Sequence, residues 1–419
     1  MAEWVKKILK RLGPGFVTGA SDDDPSGIGT YASAGARFGF SSLWTPFFTF
    51  PLMAAVQEIC ARIGMVSGRG LAGVIRQHFS KTLLYTCVSL LVIANTLNIG
   101  VDIGAMASAL QLLAPLPFTL FAITVTIVII ILEVAVPYRK YVTVLKFLAL
   151  FLLAYWATGL FIEQDWWTVA KSVVWPQIHW SADFLFILVA IFGTTITPYL
   201  FFWQASEEVE EEELLGRRFI KSRQGASAHE IHEMRWDVFS GMLFSNITMF
   251  FIILTAAISL HASGVTNIET AQQAAQALRP LAGDHAYWLF AVGIVGTAML
   301  AIPVLAGSAS YGLSEALKFR GSLSLNFKQA HGFYGIIIIS TLIGLLINFV
   351  GINPIKALVY MAVLNGIIAV PLLFVIMIMS NSQKIMGEFK NGALANTLGW
   401  LTTAVMTVSV LVLLWSFIK

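Results

Sequence analysis

The sequence predicts an all-α polytopic membrane protein: two five-helix blocks of opposite orientation, followed by an eleventh helix. Three observations carry this. The 419 residues are 57% hydrophobic and only 12% charged, with a mean hydropathy of +0.78, which excludes a soluble enzyme. The apolar residues fall into eleven stretches, each near the roughly 20 residues that a spanning helix needs. Lys and Arg collect in alternate connections, as they do when one side of a membrane retains positive charge.

In chain order the spans are 12–38, 41–66, 82–113, 116–137, 141–162, 182–205, 236–261, 285–314, 333–350, 354–380 and 394–418. Trp166, Trp167, Trp175 and Trp180 precede the sixth span, where amphipathic rings suit a membrane interface. With the N-terminus inside, the cytoplasmic side holds Lys6, Lys7, Lys10, Arg11, Arg69, Arg76, Arg139, Lys140, Arg217, Arg218, Arg235, Lys318, Lys384 and Lys390. The other side keeps Arg37, Lys171, Arg279, Lys356 and Lys419. The expected location is the cell (inner) membrane, multi-pass, with the N-terminus cytoplasmic and the C-terminus outside. The basic start leads into a span containing aspartates, so no cleavable signal is expected.

Five spans is an odd number, so a second block of five enters from the opposite side. The expected organisation is a first block at 1–163, an outer connection at 164–181, a second block at 182–380 containing an acidic cytoplasmic loop at 206–235, and the last span within 381–419. Each block opens on an interrupted helix. The first contains Ser21-Asp22-Asp23-Asp24-Pro25-Ser26-Gly27, and the second Gly193-Thr194-Thr195-Ile196-Thr197-Pro198-Tyr199. Carboxylates at membrane depth survive where they face a ligand or a water-filled path. Proline removes an N–H, and a broken helix frees carbonyls for a cation.

Neighbouring side chains on a helix diverge by about 100°, so three consecutive aspartates cannot share one ligand unless the helix is unwound. Asp24 is the candidate metal ligand, with Asp23 or Asp22 as flanking or entrance groups. Ser26, Gly27, Thr194, Thr195, Thr197 and Tyr199 are the other candidates at the two breaks. Threonine also bonds back into its own helix, and that alternative stays open for each. Asn246 and Asn365 read as interhelical hydrogen-bonding groups, and Lys146 as a side chain that snorkels or pairs. The run Glu207 to Glu213 reads as a solvated helical extension, with an acidic vestibule as the alternative. His229 and His232 lack a third ligand. Cys60 and Cys87 lie in apolar surroundings and support neither a disulfide framework nor a zinc site. No cofactor, nucleic-acid partner, enzymatic nucleophile or phosphate-binding loop is expected, so neither an enzyme nor an ATP-driven pump is supported.

The segments Gly13-Pro14-Gly15-Phe16, Asp24-Pro25, Gly35-Ala36-Arg37-Phe38-Gly39-Phe40 and Ala61 to Arg69 resemble the first two helices of the NRAMP family, the natural resistance-associated macrophage proteins. Met386 to Gly392 and Asn396-Thr397-Leu398-Gly399-Trp400 resemble its last connection. The resemblance implies a proton-coupled divalent-metal transporter with the LeuT-type inverted repeat, its first and sixth helices broken. The sequence departs from the family at the site. The family's Asp-Pro-Gly-Asn is here Asp24-Pro25-Ser26-Gly27, and its Met-Pro-His is Thr197-Pro198-Tyr199. Losing a thioether and an imidazole shifts preference from borderline metals toward hard ions such as Mg2+, a pattern similar to the family's magnesium-transporting branch. Where the family carries an acidic pair in its third helix, Asn98 and Asp102 are the polar candidates for a proton path. The expected function is secondary transport of a divalent cation, Mg2+ or else Mn2+, by alternating access. The alternative is transport of an organic acid such as citrate, free or as its metal complex. The expected partners are the cation or small carboxylate and the lipid bilayer.

Overall fold

The computed structural model describes residues 13–136, 150–217 and 220–417. Lys6, Lys7, Lys10, Arg11, Arg139, Lys140, Lys146, Arg218, Lys419 and the first part of the expected fifth span lie outside the described residues. The described chain is helical, and its principal helices follow the expected order. They are α1 (Pro14–Asp22), α2 (Pro25–Phe38), α3 (Thr45–Ser67), α4 (Lys81–Leu110), α5 (Phe118–Ala135), α6 (Leu153–Phe161), α7 (Ala182–Thr195), α8 (Pro198–Leu214), α9 (Ala228–Ala256), α10 (Ala286–Leu317), α11 (His331–Ile347), α12 (Pro354–Asn381) and α13 (Ala393–Ser416).

Seven continuous stretches among the described residues are long and apolar enough to cross a membrane. Of the other expected spans, α1 and α2 are two halves of one helix, α3 carries Glu58 and Arg62, His331–Ile347 is shorter, and Leu150–Phe161 is the part of the fifth span that lies within the described residues.

Both interruptions have the same cause. A residue before proline is driven out of the helical region, while proline itself suits the first turn of the next helix. Asp24 accordingly has φ −68° and ψ 171° before Pro25, and Thr197 has φ −104° and ψ 140° before Pro198. Each break leaves the C-terminus of one half-helix facing the N-terminus of the next.

The half-helix α1 is tied down along its length. Asp237 of α9 accepts the Gly13 and Gly15 N–H groups at 2.9 and 2.7 Å, capping donors that a helix start leaves unsatisfied. Thr18 lies 2.6 Å from Gln204 Oε1 on α8. A Cβ on Gly19 would stand 2.2 Å from the Gly241 carbonyl oxygen, so α1 and α9 touch backbone to backbone only because glycine is there.

One expectation is corrected here. Residues 206–214, placed in a loop segment and read as a solvated helical extension, do extend α8, but Glu207, Glu208, Glu210 and Glu212 are buried rather than solvated. The helix runs between α3, α10 and the short helix Leu71–His78. Donors meet the carboxylates there: Glu210 accepts from Tyr311 Oη at 2.8 Å, Ser322 Oγ at 2.9 Å, Ser324 Oγ at 2.7 Å and Leu323 N at 3.0 Å.

Candidate cation-binding site

Asp24 combines two roles that its position dictates. As the residue before α2 it caps that helix, Oδ1 accepting from Gly27 N at 2.7 Å and from Ser26 Oγ at 2.7 Å. Its other oxygen turns toward α4, where Oδ2 accepts from Asn98 Nδ2 at 2.9 Å. Asn98 Nδ2 also lies 3.3 Å from Asp102 Oδ2, one turn along the same helix. The Asn98 carbonyl oxygen accepts from Asn365 Nδ2 of α12 at 3.2 Å. A single hydrogen-bonded chain thus joins the first break, α4 and α12. Every member is buried, Asp24 at 1% exposure and Asp102 at 0%, and among the described residues Asp102 Oδ1 has no hydrogen-bond partner.

Asp22 and Asp23, still at the end of α1, face α9 instead. The Ser245 hydroxyl lies 2.6 Å from Asp22 Oδ2 and 3.3 Å from Asp23 Oδ1. It has one proton to offer, so it satisfies one of the two at a time. Asp22 Oδ1 and Asp23 Oδ2 are buried with no hydrogen-bond partner among the described residues. Among the described residues no ion pair reaches Asp22, Asp23, Asp24 or Asp102. Four buried carboxylates therefore rest on amides, hydroxyls and backbone N–H groups alone, an arrangement that favours a cation or protons arriving from outside the chain.

The second break closes over the first. A Cβ built on Gly27 would lie 3.1 Å from the Asp22 carbonyl oxygen, 3.4 Å from Asp24 Oδ1 and 3.4 Å from Thr194 Oγ1, so Gly27 marks where the two breaks meet. Tyr199 donates its hydroxyl to the Ser21 carbonyl at 2.8 Å, and Ser308 of α10 donates to the Tyr199 carbonyl at 2.8 Å. Thr197 Oγ1 is buried with no hydrogen-bond partner among the described residues. Thr195 instead donates into its own helix, to the Ile191 carbonyl at 2.9 Å.

The structure thus gathers Asp24, Ser26, Gly27, Asn98, Asp102 and Thr194 at one junction and sets Asp22 and Asp23 on its α9 side. Among the described residues no three His, Cys, Asp or Glu side chains converge as a metal-ligand cluster. The donors at the junction are carboxylate, amide, hydroxyl and backbone oxygens, a set suited to a hard ion. Sequence reasoning missed Ser245, although Asn246 beside it stood out as polar at membrane depth. Asn246 itself bridges helices, accepting from Thr49 Oγ1 at 3.0 Å.

Two broken helices crossing at a buried acidic junction, inside a bundle of this order, define a multi-pass membrane transporter of the LeuT-type fold. Solved structures share it. The chain superposes on the Eremococcus coleocola manganese transporter, crystallised with an aromatic bis-isothiourea compound, with a TM-score of 0.73 at 18% identity over 98% of this chain and 87% of that one. It also superposes on Mhp1, a nucleobase-cation-symport-1 family transporter, with a TM-score of 0.55 at 12% identity over 97% and 92% of the two chains. In sequence it is 25% identical over 410 residues to the Klebsiella pneumoniae protein named divalent metal cation transporter MntH, covering 96% of this chain and 92% of that protein. Residues 15–416 match the natural resistance-associated macrophage protein-like family, and the chain belongs to that family.

Proposed function

We propose that this protein is a secondary transporter of a divalent cation, with a preference for a hard ion such as Mg2+ over Mn2+, working by alternating access around Asp24. The observation that carries the reading is the buried Asp24 carboxylate at the meeting point of two proline-terminated half-helices, with oxygen donors in place of a thioether or imidazole. Named relatives that move divalent metals and manganese support the cation class. The oxygen-only junction supports the shift toward a hard ion, which keeps some of its water and needs only one or two carboxylates.

Coupling to protons belongs to the same proposal. Asp102 is the proton-carrying candidate of the Asn98–Asp102 pair, since an amide does not titrate. We place the N-terminus in the cytoplasm. Arg69, Arg76 and Lys318 line one cavity of 350 Å3, Arg217 a second of 790 Å3 beside Gly13 and Pro14, and Lys384 a third of 400 Å3. The Arg217 cavity lies beside the start of α1, which supports that orientation.

The test is uptake into proteoliposomes of Mg2+ and Mn2+, each with and without citrate, with a pH-sensitive dye inside. Uptake of the bare ion that vanishes in Asp24→Ala supports the proposal, and the ratio of the two ions reads the selectivity. Uptake that appears only with citrate sinks it in favour of a metal chelate. The four carboxylates would repel a free anion, so among carboxylate cargoes the metal chelate fits better than the acid alone.

A further inference from the structure

The Asn98 amide nitrogen stands between two buried carboxylates, 2.9 Å from Asp24 Oδ2 and 3.3 Å from Asp102 Oδ2. Its two hydrogens point where a cation shared by those carboxylates would place its charge. The opposite face of the same amide is engaged by Asn365 Nδ2, 3.2 Å from Asn98 Oδ1. From this we propose that the Asn98 amide occupies the position between Asp24 and Asp102 and turns over when a cation enters, becoming a direct ligand through Oδ1. Asn365 is the positioning residue that supports both orientations. The inference rests on the reading of Asp24 as the cation seat.

The chemistry of the amide is what makes this work. An N–H2 group between the carboxylates blocks a cation by both volume and partial charge, so the nitrogen must leave before the ion can bridge Asp24 and Asp102. Rotation of the Asn98 amide by about 180° exchanges nitrogen for a carbonyl oxygen, a suitable ligand for a hard ion. The nitrogen then faces Asn365 and needs an acceptor. An asparagine supplies one by turning its own amide, since it carries both two donors and a carbonyl acceptor. The Asn98–Asn365 hydrogen bond is kept in both states with donor and acceptor exchanged. A leucine at 365 satisfies neither state, while glutamine retains the reversible amide.

The experiment uses the full chain in lipid nanodiscs, with Mg2+ and Mn2+ titrated calorimetrically and initial uptake rates measured in proteoliposomes. Asn365→Leu is expected to raise the cation Kd and KM about tenfold, the effect of leaving one buried donor without an acceptor, while the maximal rate changes little. Asn365→Gln is expected to recover most of the affinity. Wild-type affinity in Asn365→Leu would overturn the proposal, as would a glutamine variant as weak as the leucine variant, because packing rather than amide reversal would then matter. A second measurement uses the unmodified sequence. The cation-induced infrared difference spectrum should contain a side-chain amide carbonyl shift that moves with [13C]asparagine labelling, and its absence would also overturn the proposal. Asp24→Ala separates the two levels. Unchanged binding in that variant removes the site reading itself, whereas lost binding there with no effect at Asn365 removes only the amide exchange.

Discussion

The aspartates at the first break and the glutamates at the end of α8 are both acidic runs buried in a membrane protein, and they are solved differently. Glu210 is surrounded by four donors from Tyr311, Ser322, Leu323 and Ser324. Glu208 accepts from Gln204 at 2.8 Å, and Glu212 lies 3.7 Å from Arg217. At the break, Asp22 and Asp23, and Asp102 on α4 beside it, each keep an oxygen with no hydrogen-bond partner among the described residues. Glu210 is completed by the fold and joins α8 to its neighbours, while Glu212 has the positive charge of Arg217 beside it. No such charge or full set of donors meets Asp22, Asp23 and Asp102 among the described residues, and these incomplete carboxylates flank Asp24, whose own oxygens are held by Ser26, Gly27 and Asn98.

The comparison predicts opposite consequences for the two runs, and the largest effect is at Asp24. Asp24→Ala removes the carboxylate that meets both the α2 cap and Asn98. Losing a charged ligand costs about 3 kcal/mol or more, on the order of a hundredfold in affinity, so cation uptake should fall to background. Retained uptake would show that Asp24 does not hold the ion. Next in size is Thr197→Met, which supplies a thioether beside the second break. It should raise Mn2+ uptake relative to Mg2+ by roughly tenfold in a competition assay. An unchanged ratio would mean that Thr197, despite its unpartnered hydroxyl, does not face the ion.

Glu210→Ala tests the other side of the comparison. It leaves the Tyr311, Ser322 and Ser324 hydroxyls short of an acceptor, and a buried unsatisfied group costs about 1–3 kcal/mol. The thermal midpoint should fall while the KM for the cation stays at its wild-type value. A raised KM with unchanged stability would mean that the glutamates belong to the ion's route rather than to the frame.

The helix order was legible because each span is a long apolar run and each break carries a proline, signals that need no tertiary information. Asp24 was legible for the same reason: Pro25 follows it directly. The split between Asp24 and the Asp22–Asp23 pair was legible only as the 100° divergence of neighbouring side chains. That it would put Ser245 beside one group and Asn98 beside the other depends on which helices flank the break. The burial of Glu207 to Glu212 was hidden because a run of glutamates looks solvated unless the donors are known. Tyr311, Ser322 and Ser324 lie more than a hundred residues away. Asn365 was read as an interhelical group, and its partner on α4 could not be named until α4 and α12 were placed side by side.

A third acid calibrates the comparison, because it is solved in the ordinary way. Glu269 is exposed in the connection before α10 and pairs with Lys356 Nζ at 2.8 Å. The hydrogen bond and positive charge of Lys356 hold its carboxyl below the ordinary value of 4.5. A lowered folded-state pKa stabilises the fold at pH values above the unfolded pKa, and that contribution is lost as pH falls through the folded one. Because the pair is exposed, screening by water and salt keeps the effect small. Lys356→Ala should therefore leave the melting temperature at neutral pH almost unchanged and bring the Glu269 titration, followed by carboxyl-labelled NMR, back toward its ordinary range. Uptake should be unaffected, since neither residue touches the junction. A large loss of uptake would show that this end of the bundle takes part in the transport cycle, and the contrast between completed and incomplete acids would no longer separate frame from site.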